Sequence, residues 1–126
     1  MKYLCLVYLE DDKLHAVRDS ECLAASERLR AEGRVVAAEA LHPVHTATTL
    51  RLRDGALTMT DGPFAETKEQ LAGFYLFDAA DLDEAVALAA RIPPVRTGSI
   101  EVRPVRTGGM RAASATASSR SAASNR

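Results

Sequence analysis

Apolar positions along the chain fall into a short series of blocks, each with its own period. Tyr3–Leu9 is almost continuously apolar, as expected of a central strand covered on both faces. Glu10, Asp11 and Asp12 end it and place acids where a helix N-terminus favours them. A helical pattern then runs to about Glu32. Leu14 and Val17 make one patch, and Cys22, Ala25 and Leu29 continue it at three- and four-residue steps. Asp19-Ser20 is a place where that helix can restart or kink, and Gly33 is a natural stop.

Val35–Ala40 reads as a short strand, broken by Leu41-His42-Pro43. Thr46–Arg53 alternates, with Thr48, Leu50 and Leu52 on one face and Thr49, Arg51 and Arg53 on the other. Asp54-Gly55 is a two-residue hairpin signal, and Ala56–Thr60 returns with Leu57 and Met59 expected inward. Asp61-Gly62-Pro63 is a turn. Gln70–Asp78 is a strand apolar on both faces: Leu71, Gly73, Tyr75 and Phe77 on one, Ala72, Phe74 and Leu76 on the other.

Asp81 opens a second helix, with Glu84 three residues on in capping-box spacing. Leu82, Val86 and Ala89 are its expected buried stripe, and Ile92-Pro93-Pro94 ends it. Ser99–Val105 alternates again and closes the series. The resulting order, β-α-β, hairpin, β-α-β, fits an α+β fold: a ferredoxin-like antiparallel sheet with two helices on one face.

Two helices cover one face of such a sheet, yet both long strands are apolar on two. An uncovered apolar face is a large exposed patch. The expected remedy is a homodimer with the sheets packed face to face, a dimeric α/β barrel.

The chain has 126 residues, with 16 basic and 17 acidic side chains. The near-neutral total conceals a split. Residues 107–126 hold three Arg, five Ser, six Ala and no acid, so residues 1–106 carry 13 basic against 17 acidic groups. One domain over 1–106 and a disordered Ala/Ser/Arg tail over 107–126 are expected. Arg111, Arg120 and Arg126, without aromatics, are a weak nucleic-acid signal, so a nucleic-acid partner is not expected. No apolar run approaches the roughly 18 residues that span a bilayer, and Tyr3–Leu9 is too short for a signal peptide. A cytoplasmic protein with reduced Cys5 and Cys22 is expected.

Candidate chemistry concentrates in Asp61–Glu69, DGPFAETKE. Asp61, Glu66, Glu69 and Lys68 crowd around one aromatic, Phe64, a mixture that can bind a polar ligand or act in general acid/base catalysis. The same residues also make an ordinary solvated surface connection, the commoner outcome for charged loops. His42 and His45 are three apart, but Pro43 intervenes and no third ligand is near, so no metal is expected. His42 is the best general base if the protein is an enzyme. Cys5, in an apolar strand without an activating neighbour, is a poor nucleophile. Tyr3, Tyr8 and Tyr75 can line a cleft or be core tyrosines. Arg51, Arg53 and Arg103 can bind an anion or be solvated. No phosphate-binding glycine pattern is present.

DGPFAETKEQLAGFYLFD, followed by DLDEA and GSIEVRPV, resembles the YCII-related proteins of the DGPF type, over about residues 1–106. The opening MKYLCLVY and the ATTLRLRDG hairpin occur in the same order. The resemblance implies a dimeric α+β barrel of ferredoxin-like protomers, with no settled activity. Genes for members often lie near extracytoplasmic-function sigma factors. Some relatives are thought to use a His in the first helix and an Asp before a Pro after the second. Here the residues flanking His15 do not match and Ile92 precedes Pro93, so that dyad is not carried over.

Three functions follow as expectations. The first is a dimeric small-molecule-binding or accessory module, with a polar cleft formed by Asp61, Gly62, Pro63, Phe64, Glu66, Lys68, Glu69 and Tyr75. The second is a cofactor-independent enzyme, lyase, isomerase or monooxygenase-like, using His42 or Asp61. The third is an interaction partner in sigma-factor signalling.

Overall fold

The computed structural model describes residues 1–13 and 19–106. Leu14, His15, Val17 and the tail from Thr107 lie outside the described residues.

Among the described residues six strands and two helices follow one another: β1 (Lys2–Glu10), α1 (Asp19–Ala31), β2 (Val35–Ala40), β3 (Thr48–Arg53), β4 (Ala56–Asp61), β5 (Glu69–Asp78), α2 (Leu82–Ala89) and β6 (Ser99–Pro104). Short 3-10 turns occupy Asp11–Lys13, Val44–Thr46 and Pro93–Arg96. Asp11–Lys13 is a 3-10 turn, and the first helix is described over Asp19–Ala31; the expected earlier stretch with Leu14 and Val17 lies outside the described residues. Arg28 and Arg30 in its last turn match the helix dipole at that end.

Gly33 ends α1 in a left-handed conformation, φ 76°. Its N–H donates to the Arg30 carbonyl (2.9 Å) and that of Arg34 to the Leu29 carbonyl (3.4 Å), the bond pair of a Schellman stop. At α2, the Asp81 side chain accepts from the Glu84 N–H (2.9 Å) while the Glu84 carboxylate accepts from the Ala80 N–H (2.6 Å). The expected capping residue thus works as a cap, with the return bond falling one residue earlier than in a standard capping box.

Four strands form one antiparallel sheet in the order β2-β5-β1-β6, open at both edges rather than closed into a barrel. Tyr3, Cys5, Val7 and Leu9 of β1 and Tyr75 and Phe77 of β5 point to one side, where they pack with Leu29 of α1, Ala85, Leu88 and Ala89 of α2, and Ile92. Both helices therefore cover the same face. Phe77, Leu29, Ile92 and Cys5 are the most completely buried large side chains, each such burial stabilising by roughly 1.5–3 kcal/mol for a large apolar group. Tyr75 and Phe77 stack with ring centroids 5.5 Å apart.

The buried row of α2 is Ala85, Leu88 and Ala89, not the expected Leu82, Val86 and Ala89. Leu82 and Val86 are exposed. Two alanines let the helix lie close to the sheet, and the bulkier residues one row over are displaced to the outside. A second correction concerns β5. The register against β1 slips between Val7 and Tyr8, so that Val7 faces Gly73 but Tyr8 faces Leu71. This bulge around Ala72 moves Leu71 to the side of Phe74 and Leu76.

The other side of the sheet carries Leu4, Leu6 and Tyr8 of β1 and Phe74 and Leu76 of β5, all half-buried by their own neighbours. No described helix covers it. Among the described residues strands β3 and β4 pair only with each other, joined by Asp54 (φ 52°) and Gly55 (φ 77°), the positive-φ pair of a tight hairpin. They form an arm outside the main sheet. Leu50, Leu52, Leu57 and Met59 are exposed on it, so the inward packing expected of Leu57 and Met59 does not occur among the described residues.

Candidate functional site

Between α1 and the β2–β5 half of the sheet lies a cavity of about 570 Å³. That is within the usual range for small-molecule sites. Its walls are mainly apolar: Val7 and Leu9 of β1, Leu23 of α1, Ala38 of β2, Ala72 of β5 and Ile92 among them. Polar side chains enter from two elements. Ser26 and Arg30 come from α1 and Tyr75 from β5. Lys13 and Asp19 also border it.

The Ser26 and Tyr75 hydroxyls are hydrogen-bonded at 2.6 Å. Tyr75 is buried and Ser26 half-buried, so the pair presents two hydroxyls at the base of an otherwise apolar recess. Each hydroxyl keeps acceptor capacity beyond the shared bond, and whichever of the two accepts in it keeps its own O–H free to donate. The Arg30 guanidinium reaches the Ala38 carbonyl at 3.5 Å, across the mouth between α1 and β2. Cys22 faces the same recess. Burial pushes its thiol pKa up, and the carboxylates of Asp19 and Glu21 push it the same way, so it remains a protonated thiol rather than a nucleophile. Cys5, buried beneath the helices, is pushed up to about 11 by desolvation. This agrees with its expected inertness.

Of the residues expected to bind a ligand, Tyr75 alone lines this cavity. His42 is exposed and is not among the lining residues, although its neighbours Leu41 and Pro43 are. His45 is exposed as well. Among the described residues, no group of three His, Cys, Asp or Glu side chains is gathered to hold a metal ion.

The Asp61–Glu69 segment lies outside this cavity. Asp61 is the last residue of β4, exposed and paired with Thr48. Gly62 has φ 112°, a conformation open to glycine and strained for other residues. Its N–H donates to the Ala47 carbonyl (2.7 Å), and its own carbonyl accepts from the Thr49 hydroxyl (2.8 Å). Pro63 is half-buried, and the carbonyl of exposed Phe64 accepts from Arg51 (3.3 Å). Gln70 donates to the carbonyls of Ala65 and Thr67. Glu69 accepts from the Ser99 hydroxyl (2.7 Å). Glu66 and Lys68 are exposed, and among the described residues neither enters a salt bridge. The motif thus ties the root of the arm to the start of β5. Its glycine is required by the backbone.

Sequence reasoning passed over Ser26 and Arg30. A signal existed: Cys22, Ser26 and Arg30 recur every four residues beside the buried row of Ala25 and Leu29, a partly polar stripe flanking an apolar one.

An α+β chain with both helices on one face of a four-stranded antiparallel sheet, and a cavity under the first helix, defines the class structurally. The chain belongs to the YCII-related domain family, whose model matches residues 1–107. It is 46% identical over 99 residues to an uncharacterised protein of Rhizobium meliloti (strain 1021), a match covering 76% of each chain.

Proposed function

We propose that the protein is a homodimeric small-molecule-binding module of ferredoxin-like protomers. Its ligand site is the cavity between α1 and the sheet. The observation that carries this reading is the roughly apolar recess of about 570 Å³ with the Ser26–Tyr75 hydroxyl pair at its base. An apolar wall with few convergent polar groups suits an amphiphilic molecule: a compact hydrocarbon or aromatic body with one hydrogen-bonding head. The polar metabolite expected at the Asp61–Glu69 loop is a poorer match to such walls. Support for the ferredoxin-like protomer is the strand order β2-β5-β1-β6, with each crossover helix on the same face. Support for the dimer is the apolar, helix-free face of the sheet.

Thermal-shift screening of hydroxy- and carboxy-substituted aromatic and aliphatic compounds tests the site. Compounds that raise Tm for the native chain should lose most of that shift in Tyr75→Phe and in Cys22→Phe, which narrows the recess. Shifts that survive both substitutions place binding elsewhere and end the assignment.

A further inference from the structure

The β3–β4 arm is an amphipathic ribbon. Direct cross-strand pairs Leu50–Met59 and Leu52–Leu57 put four large apolar side chains on one face. The opposite face carries Thr49, Arg51, Thr58 and Thr60. Among the described residues the apolar face is bare: Leu50 is 59%, Leu52 63%, Leu57 63% and Met59 70% exposed. A lone two-stranded ribbon is marginally stable in water. A ribbon with this patterning needs a surface to lie against.

We infer that the arm is a dimerisation element, its Leu50/Leu52/Leu57/Met59 face packed on a second copy of this chain. This rests on the homodimer proposed above and assigns the arm a part in it. The argument is one of area. Four strands spaced about 4.8 Å apart, each about 20–30 Å long, offer a footprint of roughly 500 Å². A stable interface covers about 800 Å² of accessible surface per partner, so the arm's apolar face is a substantial addition to the open sheet face. Six-residue strands make the arm about 20 Å long and about 10 Å wide, adding roughly 200 Å². The arm also has the reach. It is longer than the roughly 10 Å between packed sheets. It springs from the end of the sheet where β2 finishes and β5 begins, anchored by the Gly62–Ala47 and Thr49–Gly62 bonds.

Sedimentation equilibrium of the full chain tests the inference with three variants: Leu52→Glu/Leu57→Glu on the apolar face of the arm, Thr58→Glu on its polar face, and Leu6→Glu on the open sheet face. All four positions lie outside the helix-covered core, and circular dichroism verifies that each variant folds. The native chain should be a dimer. The arm double variant should raise its dissociation constant at least tenfold, and Thr58→Glu should leave it unchanged. A dimer weakened by Leu6→Glu but not by the arm variant overturns the role of the arm while leaving the homodimer standing. A native chain monomeric at micromolar concentration removes the homodimer itself. The arm would then have some other occupant, and the inference would fail with it.

Discussion

The hydroxyl oxygens of Ser26 and Tyr75 approach to 2.6 Å and join α1 to β5 across the base of the cavity. The bond links two residues 49 apart in the chain and is partly shielded from water. Tyr75→Phe and Ser26→Ala should each lower stability by about 1 kcal/mol. Urea denaturation of the two single variants and the double variant gives the coupling. A double variant no worse than either single one is the expected outcome, because removing both partners leaves no orphaned hydroxyl. Strict additivity would mean that the two groups do not act on each other.

Gly98 sits where the backbone turns from the Pro93–Arg96 3-10 turn into β6. A methyl group there would lie 2.1 Å from the Tyr8 carbonyl oxygen and 2.7 Å from Leu9 Cδ2. The carbonyl belongs to the central strand and cannot withdraw without breaking the β1–β6 pairing. Gly98→Ala should therefore destabilise by about 2–4 kcal/mol, in the range of overpacking and strain. A drop in the urea midpoint, with amide exchange in β6 accelerated before that in β5, is the expected signature. Gly55→Ala makes a useful comparison. Its added methyl meets nothing within 4 Å, so only its φ of 77° is strained.

The Cys5 thiol has its pKa raised by burial from an ordinary 9.0 to about 11. In the unfolded chain it loses its proton near 9.0; in the folded chain it keeps it to about 11. Between those values the folded state holds the extra proton, so stability falls as pH rises. Its contribution is intact below pH 9.0 and gone above about 11. At about 1.4 kcal/mol per pH unit, the loss across the window is roughly 2–3 kcal/mol. Cys5→Val should flatten that part of the stability profile. In native protein, a thiol reagent should modify half-buried Cys22 well before Cys5.

Strand positions were legible because their periodicity is strong. Val35–Ala40 forms β2 as read, and β1, β5 and β6 begin and end within a residue or two of the apolar blocks. The hairpin turn at Asp54-Gly55 and the Asp81 cap were equally plain, since each depends on local chemistry. Side-chain destinations were less so. Leu82 and Val86 look like the buried row of α2 by hydrophobicity, but close packing selects Ala85 and Ala89 instead. Leu71 changes face through a bulge that leaves no mark in the alternation. The Asp61–Glu69 motif stands out for its composition, although its hydrogen bonds serve the root of the arm. The cavity was invisible for a different reason. It is assembled from α1, β2 and β5, whose lining residues are scattered between positions 7 and 97.

The strand order β2-β5-β1-β6 alternates between the part of the chain before the Asp54-Gly55 turn and the part after it. Every ladder in the main sheet therefore joins one half to the other, and no two strands from the same half are neighbours. Neither half can nucleate even a two-stranded fragment of this sheet by itself. The two halves are interlaced like the fingers of clasped hands. A break at the exposed hairpin turn would sever the backbone without separating the halves, and an intact chain must bring distant segments together before any of the sheet exists.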